Sequence, residues 1–256
     1  MKENQGTLQS IGVTSPSRWC VYLDSAEDFC YFFWRLDVTK RWTDHIESFS
    51  LVIGGVLGYF LGSVPTAYLL VKWKSNIDIR TAGSRNVGTL NSFEVSRSRL
   101  VGGAVLLVDF LKGMVAVGLS GFLFEHDFGA MACAGWGAVV GHNFPVWLGF
   151  KGGRGLATAA GVMMSVCSPA VAVWVVAWFI GFSFWRKVNL GNVFATAVLF
   201  VSLFLVPDDI VRSVAPKEAT IWSFRLFGSL LLFIILIKHI DPLREHFFMD
   251  RTKELP

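Results

Sequence analysis

Apolar residues in this chain come in long runs bounded by charge, and the runs have the length of membrane helices. A helix needs about 20 mostly apolar residues to cross a hydrocarbon core of roughly 30 Å. Leu51 to Val71, Leu100 to Phe124 and Ala130 to Leu148 fit such a crossing. So do Ile221 to Ile237 and the run ending at Val206, if Leu190 and Gly191 begin its helix. Leu156 to Trp185 is longer than one upright crossing, and Ser168-Pro169 interrupts it. Proline favours the first turn of a new helix, so this stretch reads as two short helices meeting in a tight turn at Pro169. The alternative is one kinked, tilted helix. The pattern predicts an all-α polytopic membrane protein with about seven transmembrane helices.

Composition agrees, with 53% hydrophobic and only 16% charged residues, against roughly 25% charged in soluble domains. The net charge of +4 matters less than its placement. With seven spans, segments 72–99, 149–154, 186–189 and 238–256 share one side and hold most of the lysine and arginine. The opposite loops, 125–129 and 207–220, carry Arg212 and Lys217 against Glu125, Asp127, Asp208, Asp209 and Glu218. By the positive-inside rule the N-terminus lies outside and the C-terminus in the cytoplasm.

Three regions follow: an N-terminal extension over 1–49, a membrane domain over 50–250 and a tail over 251–256. The extension lacks the apolar core and small-residue cleavage site of a signal peptide. Ser25-Ala-Glu-Asp28 resembles a capping box, and Phe29, Phe32 and Phe33 share a face beyond it. That pattern suits a helix at the membrane interface, with an irregular extension as the alternative. Cys133 and Cys167 fall inside spans as small apolar residues, while nothing in their spacing demands that Cys20 and Cys30 pair. No cysteine–histidine spacing marks a metal site.

Three polar constellations carry candidate chemistry. The loop Asp78-Ile-Arg-Thr-Ala-Gly-Ser-Arg-Asn-Val-Gly88 combines two glycines with Ser84, Asn86, Arg80 and Arg85, and Thr89 and Asn91 follow. Backbone N–H groups and cations converging in this way hold oxyanions, although such a loop is often only a loop. Gly141-His-Asn-Phe-Pro through Lys151-Gly-Gly-Arg-Gly155 runs into Leu156-Ala-Thr158, placing glycines and two cations just before a helix start. Free N–H groups at a helix N-terminus beside basic side chains bind anions. The Walker A ending is missing, so this is no P-loop. His142 either lines the pocket or caps the end of its span. Asp109 and Lys112, three apart in the second span, form an internal ion pair or face a watery cavity. His239, in Lys238-His-Ile-Asp-Pro-Leu-Arg244, could meet a ligand where the last span leaves the membrane.

At these motifs the chain resembles the PlsY-type acyl-phosphate:glycerol-3-phosphate acyltransferases of bacteria. The resemblance covers about residues 50 to 250. It is carried by Gly62-Ser-Val-Pro-Thr-Ala, Gly83-Ser-Arg-Asn-Val-Gly, Asp109-Phe-Leu-Lys-Gly113 and above all Gly141-His through Gly155-Leu-Ala-Thr158. It implies transfer of a fatty acyl group from acyl phosphate to glycerol 3-phosphate, forming lysophosphatidic acid at a bacterial inner membrane. It also implies seven helices with N outside and C inside. Acyl phosphate is already activated, so such an enzyme need mainly bind two phosphates, align a hydroxyl and stabilise developing charge.

By the resemblance Ser84, Asn86 and His239 are the catalytic residues. Lys151, Gly152, Gly153 and Arg154 bind phosphate, with Arg85 and Arg97 as further basic candidates. The partners are the two substrates and membrane lipids, with no cofactor, metal or nucleic acid implied. Several positions depart from the family pattern: Arg85 for a glycine, Leu90 for a threonine, Glu94 for an arginine and Arg154 for a lysine. Asn189 and Asn192 stand for serines, and Pro242 for an asparagine. A diverged paralogue with another acceptor, or a non-catalytic transporter or scaffold, are the alternatives. No internal repeat supports a transporter.

Overall fold

The computed structural model describes residues 38–244, with the backbone alone at 38–47, 241 and 242. The interfacial helix expected near Ser25, the Cys20–Cys30 question and the 251–256 tail lie outside the described residues. The chain divides into two compact units, Met1–Ile46 and Glu47–Pro256. Of the first, only the opening of a helix is described; all that follows concerns the second.

The described residues form helices and no strands. They are α1 (Val38–Gly62), α2 (Thr66–Ser75), α3 (Thr89–Ser96), α4 (Arg99–Leu123), α5 (Phe128–Asn143), α6 (Leu156–Val166), α7 (Ser168–Trp185), α8 (Val188–Leu205), α9 (Asp208–Val214), α10 (Ile221–Ile237) and α11 (Ile240–Arg244), with a 3₁₀ turn at Val146–Leu148. Local chemistry sets their limits. Ser98 accepts a hydrogen bond from the Val101 N–H at 3.4 Å and opens α4, while Asp127 accepts from Ala130 at 2.7 Å and opens α5. Thr220 opens α10 in the same way. Each side-chain oxygen satisfies one of the donors a helix start leaves unpaired.

Two runs break where proline falls. The first apolar run, expected as one helix over Leu51 to Val71, ends at Gly62 and resumes at Thr66. Pro65 has no N–H to donate, so the ladder restarts beyond it. Leu156 to Trp185 is two helices, as its proline predicts, with Cys167 alone between them and Pro169 in the first turn of α7.

Four helical runs are long and apolar enough to cross a membrane: Ser48–Ser75, Arg99–Leu123, Ser168–Trp185 and Val188–Leu205. Leu156–Val166 and Ile221–Ile237 are shorter apolar helices. Outward side chains are correspondingly greasy: Leu100 is 86% exposed, Phe122 80% and Phe184 79%. Facing water they would form the kind of apolar patch soluble proteins avoid.

Inside, small residues let the helices approach backbone to backbone. A Cβ on Gly58 would strike the Ala134 carbonyl oxygen, on Gly62 that of Ala138, and on Gly141 that of Tyr59. The α1–α5 seam is therefore closed by glycine and alanine at helical spacing, the way membrane helices commonly pack. α4 and α6 meet likewise at Gly113 against Thr158 and Gly161 against Phe110. α10 is joined to α5 by the Phe227 ring, which packs edge-on to Phe128, and by the Trp136 indole N–H donating to the Phe227 carbonyl at 3.1 Å.

Candidate active site

The α2–α3 loop, the loop before α6 and the starts of α4 and α8 together line a cavity of about 730 Å³, with Arg99 and Arg154 as its cations. Asn86 from the α2–α3 loop, Arg154 from the loop before α6, Asn189 from the start of α8 and Asp109 and His142 from the helices supply its polar lining. Below them the walls are apolar, with Leu106, Met163, Trp174, Leu199 and Leu231. A polar mouth over an apolar chamber fits an amphiphile with its charged head at the loops.

Asn91 shapes the α2–α3 loop. Fully buried, its side chain accepts from the Ser84 N–H at 2.9 Å and donates to the carbonyls of Ala82 at 3.1 Å and Asn86 at 2.9 Å. Gly83 has φ +58°, and a Cβ there would meet the Asn91 amide oxygen, so glycine is required by space and by backbone. Arg85 also holds a left-handed φ of 59°. At the loop's other end Asp78 accepts from the Arg80 guanidinium at 2.7 Å. The Arg80 side-chain and backbone hydrogen bonds hold its carboxyl down at about 2.

The loop 144–155 folds back on the end of α5. Gly152 N–H donates to the Asn143 carbonyl at 3.2 Å and Gly153 N–H to that of His142 at 3.1 Å. These two N–H groups, expected to meet phosphate, are thus committed to backbone. Gly153 packs between the His142 ring and the Val87 carbonyl, where no Cβ fits. The donors that a helix start leaves over belong instead to the first turn of α6, at Leu156, Ala157 and Thr158. Arg154, Gly155, Leu156 and Ala157 all line the cavity, so that helix end faces the chamber with a cation beside it. The Arg154 guanidinium is oriented by Asn189, whose side-chain oxygen accepts from it at 2.7 Å.

Under the mouth lies a buried triad. Lys112 Nζ is 2.9 Å from Asp109 Oδ1, His142 Nδ1 is 3.6 Å from the same oxygen, and Lys112 also donates to the Val64 carbonyl at 3.3 Å. The ion pair read from the sequence is present, and His142, left between lining and capping, both joins it and lines the cavity. Their mutual contact was invisible in sequence, because 30 residues separate His142 from Lys112.

The remaining candidates are spread out. His239 is buried beside α10, its Nδ1 2.8 Å from the Ile235 carbonyl. A carbonyl only accepts, so Nδ1 carries the proton and Nε2 is the ring's acceptor, buried and without a hydrogen-bond partner among the described residues. Burial, with the nearby positive charge of Arg154, pushes the imidazole down to about 4. Ser84, Arg85, Arg97 and Lys151 are exposed, and none of the four lines the cavity. Arg97 is three residues beyond Glu94, a spacing that would share a helical face, but α3 ends at Ser96 and Arg97 caps it with φ 52°. Arg99, the first residue of α4, lines the cavity instead.

A family profile described as glycerol-3-phosphate acyltransferase matches residues 52–247. A glycerol-3-phosphate acyltransferase of Brucella anthropi is 37% identical over 159 residues, covering 61% of this chain and 76% of that protein. One from Mesorhizobium japonicum is 32% identical over 192 residues, covering 75% of this chain and 90% of the relative. Among solved structures, the glycerol 3-phosphate form of PlsY (YgiH), an integral membrane glycerol 3-phosphate acyltransferase, superposes with a TM-score of 0.65 at 26% identity. That match covers 80% of this chain and all of the other. The lysophosphatidic acid form of PlsY gives 0.64 at 27% identity, covering 77% and 91%.

Proposed function

Because this chain belongs to the glycerol-3-phosphate acyltransferase family, we propose that it moves a fatty acyl group from acyl phosphate to glycerol 3-phosphate, yielding lysophosphatidic acid and phosphate. The observation that carries the reading is the cavity itself: a polar, cationic mouth at a helix N-terminus opening on an apolar chamber. An acyl phosphate and a lysophosphatidic acid share that polarity.

The acyl chain lies among Leu106, Met163, Leu199 and Leu231, leaving the mixed-anhydride carbonyl at the mouth. Arg154 and the free N–H groups of the α6 first turn hold the donor phosphate, where a helix dipole and a cation favour negative charge together. Lys151, on the outer side of the same loop, adds charge at the approach. Asn86 and the Ser84 loop position the acceptor, with Arg99 the cavity-lining cation for its phosphate and Arg85 and Arg97 on the flank. The acceptor hydroxyl attacks the carbonyl carbon, the oxygen–phosphorus side of the anhydride leaves as phosphate, and the hydroxyl proton departs with it or to solvent. Neutral His239 lies outside the cavity lining, near Arg154, and supports the site from behind that cation rather than touching the hydroxyl. The Asp109–Lys112–His142 triad fixes α4 to α5 and, through His142 and Gly153, sets the loop before α6.

The same reading places the protein as a seven-crossing protein of a bacterial inner membrane, N-terminus outside and site at the cytoplasmic face. The excess of lysine and arginine in the loops on the cavity side, with Arg99 and Arg154 in the cavity itself, supports that orientation, and the acidic start of α9, at Asp208 and Asp209, supports the opposite face as external. The test is direct: purified protein given acyl phosphate and glycerol 3-phosphate should form lysophosphatidic acid, and no product with either substrate alone.

A further inference from the structure

Two indoles stand in the apolar wall of the cavity, and both are tied to the neighbouring helix. Trp174 and Trp178 are four apart on α7 and share a face. Trp174 Nε1–H donates to Thr196 Oγ1 at 3.1 Å, and Trp178 Nε1–H to Asn192 Oδ1 at 2.8 Å. The acceptors are four apart on α8 and linked in turn, the Thr196 hydroxyl donating to the Asn192 carbonyl at 2.7 Å. Trp178 also stacks on Phe182, with centroids 5.0 Å apart and planes at 6°. An indole N–H without a partner in hydrocarbon is costly, so each tie holds its ring in one orientation.

Helix α8 gives the depth scale. Asn189 stands at the polar mouth, Asn192 nearly one turn further along and Thr196 about two turns. At 1.5 Å per residue they lie about 5 and 10 Å below it, and Leu199, also in the wall, about 15 Å below. The tied indoles therefore occupy two successive levels of the chamber.

We propose that this pair sets the acyl-chain preference of the enzyme: Trp178 packs on the methylenes about one turn below the reacting carbonyl, and Trp174 on those about two turns below. The assignment rests on the chamber being the acyl site, and adds which residues read the chain and how they are held. Each methylene buried on such a wall raises affinity about fourfold. A chain that ends above Trp174 gains nothing from it.

The full-length protein, saturated with glycerol 3-phosphate, is assayed with hexanoyl, dodecanoyl and hexadecanoyl phosphate. Wild type gains kcat/KM with length. Trp174→Ala leaves the hexanoyl value nearly unchanged and lowers the hexadecanoyl value about tenfold, with the acceptor KM unmoved. Thr196→Val keeps the side-chain shape, removes the tie and shifts the profile in the same direction, which covers the case in which Trp174→Ala fails to fold. Equal losses for all three chains would reduce the indoles to scaffolding, and an unchanged profile in both variants would remove them from the chain site; either overturns the assignment. Failure of wild type with every donor would count against the reaction, not the wall. Thermal shifts with hexanoyl and hexadecanoyl lysophosphatidic acid then decide the wall alone: the long chain must stabilise wild type more than Trp174→Ala or Thr196→Val.

Discussion

Arg154 stands half-buried at the start of α6 with its guanidinium 2.7 Å from the Asn189 oxygen, so it is aimed before any substrate arrives. Losing a charge-assisted contact to phosphate costs about 1.5–3 kcal/mol, roughly ten- to a hundredfold. Arg154→Ala is expected to lower kcat/KM for acyl phosphate by that factor, and Lys151→Ala by clearly less, since Lys151 is exposed and off the cavity. Equal losses in steady-state kinetics would return the phosphate to the outer loop. His239 makes a pH prediction. Its pKa is about 4 in the fold, below the ordinary 6.5, so between those values the unfolded chain binds more protons. Stability is full above about pH 6.5 and falls as pH drops towards 4, by roughly 3 kcal/mol in all. Thermal unfolding of His239→Gln should show a flatter profile across that window; an identical slope would mean the imidazole is not held neutral. At this scale the sequence disclosed residue types and little of their direction. Gly152 and Gly153 look like free donors until the loop is seen to fold back on Asn143 and His142. Arg97 looks co-facial with Glu94 until α3 ends one residue before it. Asn91, the staple of the α2–α3 loop, carried no signal beyond its place among other polar residues.

The helices were the most legible part, because apolar length and proline speak locally. Pro169 announced the α6–α7 break, whereas the break at Pro65 lay hidden in a run of membrane length, its Ser63-Val64 neighbours too apolar in context to signal it. The seams between helices follow from spacing that can be tested. Gly58 abuts the Ala134 backbone, while nothing lies within 4 Å of a Cβ placed on Gly118. Gly58→Leu should drive α1 from α5 and abolish a monodisperse, cooperatively melting protein in detergent. Gly118→Ala should leave the melting temperature unchanged or raise it, by at most about 1 kcal/mol of stability. A well-behaved Gly58→Leu protein would show that α1 does not pack as described. The same close approach carries function, since Gly141 on this seam directly precedes His142 and fixes where the triad stands.

At the scale of the molecule, two distant loops and the starts of two further helices converge on one mouth, and no local pattern could announce the chamber they cover. The resemblance supplied the family; the tied indoles and the Asp109–Lys112–His142 cluster required the fold, because their partners come from different helices. The charge asymmetry does predict a topology. A reporter after Pro256 should behave as cytoplasmic and one in the 207–220 loop as external, and both on one side would contradict a crossing by α10 and with it the seven-span topology. The central claim, that this cavity joins an activated acyl chain to glycerol 3-phosphate, is tested most directly by phosphate release from acyl phosphate by the purified protein. Release should depend on glycerol 3-phosphate and match lysophosphatidic acid formed mole for mole. Release indifferent to glycerol 3-phosphate, or acylation of another alcohol in its place, would contradict that claim.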